Sequence, residues 1–461
     1  MKYFLIFSLM IFMSKTIVSF AQQSNANFNV NKGILTLPEV NIIPDSSTFS
    51  ATLHKVDDSN DFILELDSIT PIENSFIHYD PDKEILYIPH LVVGDKIYQK
   101  MQLEVVPQTS PPRFRLIAAE VDLKNTLKQV QATVETKPVP ASGDAADDPA
   151  IWIHPINPTK SIIIGTQKLG GLGIYDLAGK EIQYLADGNM NNVDLRYNFL
   201  LNDKKVAIVA ASNRSNDSIA LYKVNPKSRE LENIAARTIQ VGLTTYGLCM
   251  YQSKSSRKYY VFINDKKGAV EQWEVFGTED GQVDANLVRN LKVKSQVEGC
   301  VADDELGHFY LGEERVGIWK FGAEPNSGNE GKLIDTTKNG NLTSEVEGLT
   351  IYYINETEGY LIASNQGNDT YTVHNRAGNN EYLGKFQIVA NEALNIDHVY
   401  DTDGIDVINV SFGENFPYGV FVAQDGENID PEENQNFKLV SWEQIADALG
   451  LKKESSYNPR N

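Results

Sequence analysis

The apolar positions of this chain fall into short runs separated by polar turns, a pattern typical of β-strands. From residue 147 onward, a polar or aromatic residue followed by an apolar run occurs six times, at intervals of roughly fifty residues. Within each interval a second apolar run leads into a polar loop and then into a third run. Each interval is therefore one unit of several short strands. The six units begin at Asp148, Asn192, Tyr246, Glu298, Glu347 and Asp403.

Six such units with little helix between them predict an all-β fold with a radial arrangement, a six-bladed β-propeller. An open β-solenoid is the alternative, although its repeats are usually shorter. Residues 129–134 precede the first unit and could complete the last blade, which would close the ring. Near the C-terminus, residues 441–444 resemble a capping box and predict a short helix that ends at Gly450.

The region before the repeats has a different pattern. Residues 32–38 and 83–89 resemble two copies of one strand-and-turn unit. We therefore expect a small β-rich N-terminal module over residues 22–122, followed by the propeller domain over residues 123–461. The sequence does not indicate a function for the module.

The first 21 residues have the order of a signal peptide. A basic start at Lys2 and an apolar run over residues 3–13 precede a small-residue cleavage site that ends at Ala21. The apolar run is shorter than the ~20 residues that a membrane-spanning helix needs. We therefore expect an exported protein, secreted or periplasmic, with no membrane attachment.

Charge narrows the choice of partners. The chain carries 62 acidic and 41 basic side chains, a formal charge of −21 at pH 7. Such a surface repels nucleic acid and anionic membranes and favours polyvalent cations, although part of the charge serves solubility alone. The only two cysteines, Cys249 and Cys300, lie at equivalent positions of neighbouring units. They could form a bridge, but we favour two small buried thiols. We also expect a monomer.

The loops after the second runs should all open at one end of the propeller, near its axis. Carboxylates without histidine or cysteine partners are hard oxygen ligands, which suit calcium better than zinc. Lysines and an arginine beside them suit phosphate oxygens. Any one of these residues is most simply a solvated surface charge, but the set at equivalent positions predicts a phosphoryl-transfer site. The loop tips carry Lys168, Arg214, Lys266, Glu314, Gln366 and Asp425, and the first runs open with Asp147-Asp148, Tyr246, Glu298, Glu347 and Asp403.

Several other hydrolytic mechanisms lack their residues. Neither cysteine has the preceding histidine and following arginine of a cysteine phosphatase loop. The histidines form no His-Glu-x-x-His pair, and no Arg-His-Gly motif occurs. Residues 57–67 alternate acids as an EF-hand does, but Phe62 stands where glycine is required. The sequence therefore offers no covalent histidine or cysteine nucleophile.

Six strings within the repeats carry a resemblance to one family: residues 143–152, 191–197, 210–215, 347–353, 401–407 and 421–428. On these strings, the chain from about residue 129 to residue 451 resembles the alkaline β-propeller phytases, calcium-dependent enzymes of the 3-phytase type. The N-terminal module lies outside the resemblance.

The resemblance implies a role for individual residues. Phosphate groups would be held by Lys168, Arg214, Tyr246 and Lys266. The calcium ions that bridge substrate and water would be bound by Asp147, Glu298, Glu314 and Glu347. Structural calcium ions would be bound by Asp148 with the backbone at Val193 and, separately, by Asp397, Asp403, Asp425, Glu427, Asn428 and Asp430.

Three positions depart from the family pattern. Leu169 stands where a second lysine often follows Lys168, and Lys267 stands where glutamate is common. These two changes alter the neighbouring phosphate subsite and one calcium ligand. Glu345 replaces an aspartate and stays in the predicted metal-binding set.

The leading hypothesis is a calcium-dependent phosphomonoesterase that acts on calcium-bound phytate (myo-inositol hexakisphosphate) and lower inositol phosphates. A calcium-activated water would attack in line, without a covalent enzyme intermediate. Another calcium-dependent propeller hydrolase, such as a lactonase or a diesterase, is the alternative enzyme, but it would not need Lys168, Arg214 and Lys266. A non-enzymatic propeller that binds a partner protein is the other alternative, and it would present an apolar patch at that end.

Overall fold

Strands make up nearly all of the regular structure in the computed structural model. It describes residues 26–29, 34–42, 47–55, 63–72, 77–93, 96–109, 111–121, 126–338 and 340–457. The predicted signal peptide, residues 1–21, lies outside these residues. The chain divides into two compact units, Met1–Leu127 and Lys128–Asn461. Among the described residues, no helix is both long enough and apolar enough to span a membrane.

The first unit is one sheet of eight strands. They are β1 (Ala26–Asn29), β2 (Ile34–Ile42), β3 (Ser47–Lys55), β4 (Ile63–Ile72), β5 (Ile77–Asp80), β6 (Ile85–Val93), β7 (Lys96–Val106) and β8 (Arg113–Val121). Their order is β1-β2-β3-β4-β8-β7-β6-β5, and β1 also pairs with β6 while β2 pairs with β5. These two parallel pairings bring the ends of the sheet together around a core that contains Leu35, Leu53 and Leu103.

The strands β2 and β6 contain most of residues 32–38 and 83–89, the two segments that resemble each other in sequence. They also occupy equivalent positions in the sheet, because each pairs in parallel with a strand at its far end. Each strand changes partner along its length. Residues 34–36 of β2 pair with β1, and residues 40–42 pair with β5. Pro38 lies between the two segments, and Pro89 lies at the corresponding place in β6. Proline has no N–H to donate, so a ladder is readily interrupted there.

Apart from one short hairpin, the described strands of the second unit form six mainly antiparallel sheets, each built mainly from the strands of one sequence repeat. The first three consist of β11 (Ala146–Trp152), β12 (Ile162–Gln167), β13 (Gly171–Asp176) and β14 (Glu181–Leu185); of β15 (Met190–Leu201), β16 (Lys204–Asn213), β17 (Ser218–Val224), β18 (Leu231–Asn233) and β19 (Ile239–Gln240); and of β20 (Leu248–Gln252), β21 (Tyr259–Asn264), β22 (Ala269–Gly277) and β23 (Val283–Lys292).

The other three sheets consist of β24 (Val297–Asp303), β25 (His308–Glu313), β26 (Gly317–Gly322) and β27 (Lys332–Thr336); of β28 (Val346–Tyr353), β29 (Gly359–Asn365), β30 (Thr370–Asn375) and β31 (Tyr382–Val389), with β9 (Lys128–Gln131) at the edge; and of β32 (Ile405–Ile408), β33 (Val420–Asp425), β36 (Asn436–Ser441) and β10 (Val134–Glu135). Short elements complete the unit: a hairpin of β34 (Asn428–Ile429) and β35 (Glu432–Glu433), and 3-10 helices over Pro158–Lys160 and Gln366–Asn368.

The first strands of the six sheets contact one another in chain order, and β32 contacts β11. This closed ring of sheets agrees with the predicted all-β propeller class. The ring is closed by β10, which pairs with β36. Residues 129–134 were expected to complete the last sheet, but only Val134 does so, as part of β10. The strand β9 instead pairs in parallel with β31 of the preceding sheet. The chain crosses between the two sheets at Ala132, whose carbonyl accepts a hydrogen bond from Asn391 Nδ2 at 2.9 Å.

The helix predicted near the C-terminus is present as α1 (Trp442–Leu449). It ends at Gly450, which has a left-handed conformation with φ of 66°. The capping-box hydrogen bond is absent, because the Ser441 side chain makes no bond to the helix end. Packing positions the helix instead, since the Trp442 ring stacks on Tyr352 at a centroid distance of 3.8 Å.

The two cysteines form a disulfide, so the expectation of two thiols is wrong. Cys249 lies on β20 and Cys300 on β24, and their Cα atoms are 5.7 Å apart. First strands of neighbouring sheets lie side by side in the ring, which brings equivalent positions within bonding reach. The bond links the third sheet to the fourth at the inside of the ring.

Candidate active site

The first strand of each sheet presents a polar side chain at its start. In β11, β15, β24 and β28 the ladder to the second strand is interrupted there by two residues without ladder partners. Such a bulge redirects the side chains of the unpaired residues. The unpaired residues are Asp147-Asp148, Asn191-Asn192, Glu298-Gly299 and Glu347-Gly348, and the equivalent residues before β20 and β32 are Tyr246-Gly247 and Asp403-Gly404.

In the third to sixth sheets glycine follows the site residue, because neighbouring first strands approach closely there. A Cβ atom on Gly247 would lie 1.9 Å from the carbonyl oxygen of Glu298. A Cβ atom on Gly299 would lie equally close to the carbonyl oxygen of Glu347. Any larger residue would push the strands apart. The small residues therefore let Tyr246, Glu298 and Glu347 converge.

The loop tips lie at the same end of the ring. In four sheets the N–H of the tip residue donates to a carbonyl just before the first strand, so the tip is held beside the polar residue at the strand's start. The four bonds are Lys168 to Ala145 (2.7 Å), Arg214 to Asn189 (2.8 Å), Glu314 to Gln296 (3.1 Å) and Gln366 to Glu345 (2.9 Å).

Glu298, Glu314 and Glu347 form a buried carboxylate cluster. One oxygen from each lies within 4.8 Å of the others. Among the described residues, Glu314 Oε1 and Glu347 Oε2 have no hydrogen-bond partner. Burial, with Glu298 adding to it, raises the pKa of Glu314 to about 7. The same two causes raise the pKa of Glu347 well above its usual range. The cluster is therefore suited to a cation with oxygen ligands.

Lys168 is surrounded by three carboxylates. Its Nζ lies 2.6 Å from Asp144 Oδ1, 3.2 Å from Asp147 Oδ2 and 2.6 Å from Asp403 Oδ2. Burial raises the pKa of Asp403 to about 7, although Lys168 opposes the shift. Asp403 thus lies beside Lys168 and Asp147. The repeat pattern puts it in the same site, whereas the family resemblance implies a ligand of a structural ion.

Asn191 joins the carboxylate cluster to a cation. Its Nδ2 donates to Asp147 Oδ1 at 3.3 Å and to Glu298 Oε1, while its Oδ1 accepts from Arg214 Nη1 at 2.9 Å. The side chain is fully buried. Sequence reasoning missed it because the second repeat was aligned on Asn192. The bulge in β15 makes Asn191 the equivalent of Asp147. Aligning Asn191-Asn192 with Asp147-Asp148 would have identified Asn191 as a site residue.

Tyr246 lies between two exposed cations. Lys266 Nζ is 4.1 Å from the centroid of its ring, and Arg214 Cζ is 5.7 Å from it. Both distances are typical of cation–π contacts. Burial and the nearby Glu298 and Glu347 raise the pKa of Tyr246 well above its usual value. The hydroxyl therefore stays protonated and can donate a hydrogen bond.

Part of this set borders a cleft of about 960 Å³, whereas Asp147, Arg214, Lys266 and Glu298 are not among the residues that line it. Of the predicted site residues, the cleft is lined by Lys168, Tyr246, Glu314, Glu345, Glu347, Asp403, Glu427 and Asn428. Glu345 is half-buried with a left-handed φ of 68°, and its N–H donates to the Glu314 carbonyl at 2.9 Å. Sequence reasoning missed Asp144, Gln296, Arg315 and Asp401, which also line the cleft. Two of them, Asp144 and Asp401, lie in strings that carry the family resemblance, and Arg315 directly follows Glu314.

Asp397 and Asp425 lie on either side of a buried lysine. Lys438 Nζ is 2.6 Å from Asp425 Oδ2 and also contacts Asp397 Oδ1. All three side chains are buried. The backbone N–H of Ile429 donates to Asp397 at 2.7 Å, and that of Tyr400 donates to Asp425 at 2.9 Å. The two carboxylates therefore share one ammonium group, and burial still raises the pKa of Asp425 to about 6.

The remaining predicted ligands are more dispersed. Glu427 and Asp430 are exposed, and Asn428 is buried, with its Nδ2 donating to the Asn434 carbonyl. Asp148 is buried, and its Oδ2 accepts from the N–H of Val193 at 3.0 Å. Burial raises the pKa of Asp148 well above its usual range. The group of Val193 that contacts Asp148 is its backbone N–H, a hydrogen-bond donor that cannot ligate a cation.

Fold and site together define a β-propeller protein that gathers carboxylates and basic side chains around one cleft. The family model described as Phytase matches residues 104–461. The chain belongs to the phytase family, which confirms the predicted enzyme class.

One sequence relative and one solved structure give the scale of the similarity. The 3-phytase of Bacillus subtilis (strain 168) is 46% identical over 329 residues, which cover 70% of this chain and 86% of that protein. A solved structure of regucalcin from Agrobacterium tumefaciens, a calcium-binding protein, is similar with a TM-score of 0.43 and 10% identity. The matched region covers 72% of this chain and 98% of the regucalcin chain.

Proposed function

We propose that this protein is a calcium-dependent phosphomonoesterase that hydrolyses phytate and lower inositol phosphates and releases inorganic phosphate. The similarity to a 3-phytase supports the substrate. The observation that carries the proposal is the cluster of Glu298, Glu314 and Glu347, which is buried and short of hydrogen-bond partners beside a set of cationic side chains.

The donor atoms of the cluster fit calcium. Three carboxylates, with no histidine or cysteine among them, form a hard oxygen site. The partnerless oxygens of Glu314 and Glu347 are atoms that a cation would satisfy. Glu298, Glu314 and Glu347 would hold the ion, with Asp147 and Glu345 as further carboxylates nearby. When bound, calcium neutralises charge on phosphate oxygens and lowers the pKa of a water molecule.

The side chains around Tyr246 bind and orient the phosphate. Arg214 offers paired N–H donors that match phosphate oxygens, and Lys266 adds a point charge. The protonated Tyr246 hydroxyl donates a further hydrogen bond. Asn191 fixes Arg214 relative to Glu298. Lys168 turns from its carboxylates to the substrate at the mouth of the cleft.

Water is the nucleophile in this proposal. Among the described residues that line the cleft there is no histidine, cysteine or serine that could form a covalent intermediate. Direct in-line attack of water on phosphorus then releases phosphate in one step.

The proposed structural calcium sites differ in how well their residues fit. Asp397 and Asp425 already share the ammonium group of Lys438, so they fit an ion less well than the glutamate cluster. Glu427, Asn428 and Asp430 remain the proposed ligands on that side, and Asp148 the proposed ligand near Val193. We also propose that the protein is exported, on the sequence of residues 1–21.

The proposal is tested by phosphate release from phytate after calcium is removed with a chelator and then restored. We expect activity to disappear on chelation and to return with calcium but not with magnesium. The melting temperature should fall on chelation, because a ligand that binds only the folded state stabilises it. Full activity in calcium-free protein would show that the proposed mechanism is wrong.

A further inference from the structure

The disulfide between Cys249 and Cys300 lies close along the chain to two residues of the candidate site. Cys249 follows Tyr246 by three residues, and Cys300 follows Glu298 by two. Both cysteines are buried, with 2% and 7% of their surface exposed. They are the only cysteines of the chain, so this bridge is its only disulfide.

The bridge spans the seam between two chemically different halves of the site. The second and third sheets supply the two cations that flank the Tyr246 ring. The fourth and fifth sheets supply the carboxylate cluster of Glu298, Glu314 and Glu347. The seam between the third and fourth sheets is therefore where the side chains proposed to bind phosphate meet those proposed to bind the metal.

Polar contacts cross this seam at the site. Asn264 Nδ2, on the third sheet, donates to the Glu298 carbonyl at 2.7 Å, and Asn264 Oδ1 accepts from the N–H of Gly247 at 3.0 Å. The Tyr246 hydroxyl hydrogen-bonds to Glu298, which is one of the causes that raise its pKa. The position of Tyr246 relative to Glu298 therefore depends directly on the spacing of the two first strands.

Apolar packing fills the rest of the seam but leaves its spacing less strictly defined. The Phe262 ring of the third sheet stacks on Phe309 of the fourth at a centroid distance of 3.9 Å, in the same buried cluster as both cysteines. Ring contacts are favourable over a range of offsets and distances. A disulfide accepts only a narrow range of Cα separations, and here that separation is 5.7 Å. The bridge thus sets the tightest limit on the seam.

We propose that the Cys249–Cys300 bridge is a positioning element of the active site, which holds Tyr246 at a fixed distance from Glu298. This inference rests on the proposed function and deepens it, because it assigns the bridge to the reaction and not to stability alone. In-line attack needs calcium and phosphate in one geometry, and a misplacement of about 1 Å can cost on the order of a hundredfold in rate. Without the bridge, each half should still bind its own ligand, while their relative placement is lost.

The experiment combines Cys249→Ala with Cys300→Ala, because alanine keeps small apolar side chains in the buried cluster. Kinetics with phytate at saturating calcium are measured at a temperature where thermal melting shows the variant to be folded. We expect kcat to fall about tenfold, as for a displacement below 1 Å. KM and the calcium concentration for half-maximal activity should hardly change.

Stability is measured beside the kinetics to separate the two roles of the bridge. The melting temperature of the alanine variant should fall, because a disulfide restrains the unfolded chain. A bridge that serves stability alone would lower the melting temperature and leave kcat of the folded variant unchanged. That result overturns the inference.

Trp442→Phe is the matched control for lost stability. It weakens the stacking of α1 on Tyr352, at the far end of β28 from Glu347. It should lower the melting temperature and leave kcat unchanged. An equal loss of kcat in Trp442→Phe would trace the effect to general destabilisation and so contradict the proposed role of the bridge.

Opening the bridge in the unchanged protein gives the same comparison without substitution, and it serves if the alanine variant does not fold. A water-soluble phosphine reduces the disulfide to two thiols, which are counted after unfolding. The reduced protein should show the lowered kcat, and reoxidation should restore it. Unchanged kcat with both thiols present overturns the inference. If the unchanged protein releases no phosphate from phytate, the proposed function itself fails and the inference falls with it, a result distinct from an unchanged kcat.

Discussion

Two groups of buried carboxylates in the second unit differ in what neutralises them. Asp397 and Asp425 lie against the buried ammonium group of Lys438. Glu298, Glu314 and Glu347 lie against one another, and among the described residues no basic side chain forms an ion pair with them. In the first group burial raises the pKa of Asp425 to about 6, although Lys438 opposes the shift. In the second group burial and the neighbouring Glu298 together raise the pKa of Glu314 to about 7 and that of Glu347 well above its usual range.

The difference separates stability from function. A buried charge with a partner holds its neighbours in one geometry, and removing the partner is costly. A buried charge without a partner is unfavourable until a ligand arrives, and such unfavourable groups concentrate at functional sites. The lysine-paired group should therefore respond to mutation through folding, and the glutamate cluster through catalysis and metal binding.

The largest expected effect is on folding, in Lys438→Met measured in calcium-free buffer. Two buried carboxylates would lose their cation, which should lower the free energy of unfolding by about 3–5 kcal/mol. Urea denaturation measures the change. Adding Asp397→Asn and Asp425→Asn to Lys438→Met should restore part of the loss. A Lys438→Met protein as stable as the original would remove the contrast between the two groups.

The next effect is on turnover, in Glu298→Gln and Glu314→Gln. Glutamine keeps the shape but removes charge that fixes the cation, so each change should cost ~3 kcal/mol of transition-state stabilisation, on the order of a hundredfold in kcat. The melting temperature should hardly change, because the pair around Lys438 is intact. Kinetics beside thermal melting at saturating calcium tests both parts. Near-normal turnover in both variants would exclude these glutamates from the active site.

A smaller loss is expected from Arg214→Ala. The exposed guanidinium contacts Asn191 and flanks Tyr246, so its removal should weaken phosphate binding without unfolding the protein. We expect kcat/KM for phytate to fall by about ten- to a hundredfold, as for a lost charged hydrogen bond. Arg214→Lys should recover only part, because the paired donors are lost. An early-melting Arg214→Ala would instead indicate a structural ion pair.

The smallest effect is a pH dependence of stability without calcium. Burial raises the pKa of Glu314 from 4.5 to about 7, so the folded protein binds this proton more tightly than the unfolded chain does. Stability should therefore fall as pH rises from about 4.5 to 7. Thermal melting across that range tests the sign. Glu314→Gln should flatten the slope, and a slope that is unchanged in this variant would assign it to other groups.

The sequence predicted the repeating architecture and the loop-tip residues because both follow from periodicity along the chain. It did not predict features that depend on pairing between distant segments. Residues 128–131 pair with the fifth sheet, and Cys249 bonds to Cys300. Both features depend on which strands are neighbours in space. Asn191 was missed through a shift of one residue, since a bulge leaves no mark in hydrophobic patterning. Lys438 gave no signal, because an ammonium group between two aspartates is recognisable only in space.

The bulge at the start of the first strands has an evolutionary consequence. In four sheets the bulge carries Asp147, Asn191, Glu298 or Glu347, and in the other two Tyr246 and Asp403 lie just before the first strand. The residue at this point has no ladder partner, so a single codon change can exchange acid, amide or phenol without removing a pairing of the sheet. A gene built by duplicating one unit would have inherited six such positions. Selection could then specialise each of them independently, which allows one repeated scaffold to hold an asymmetric site.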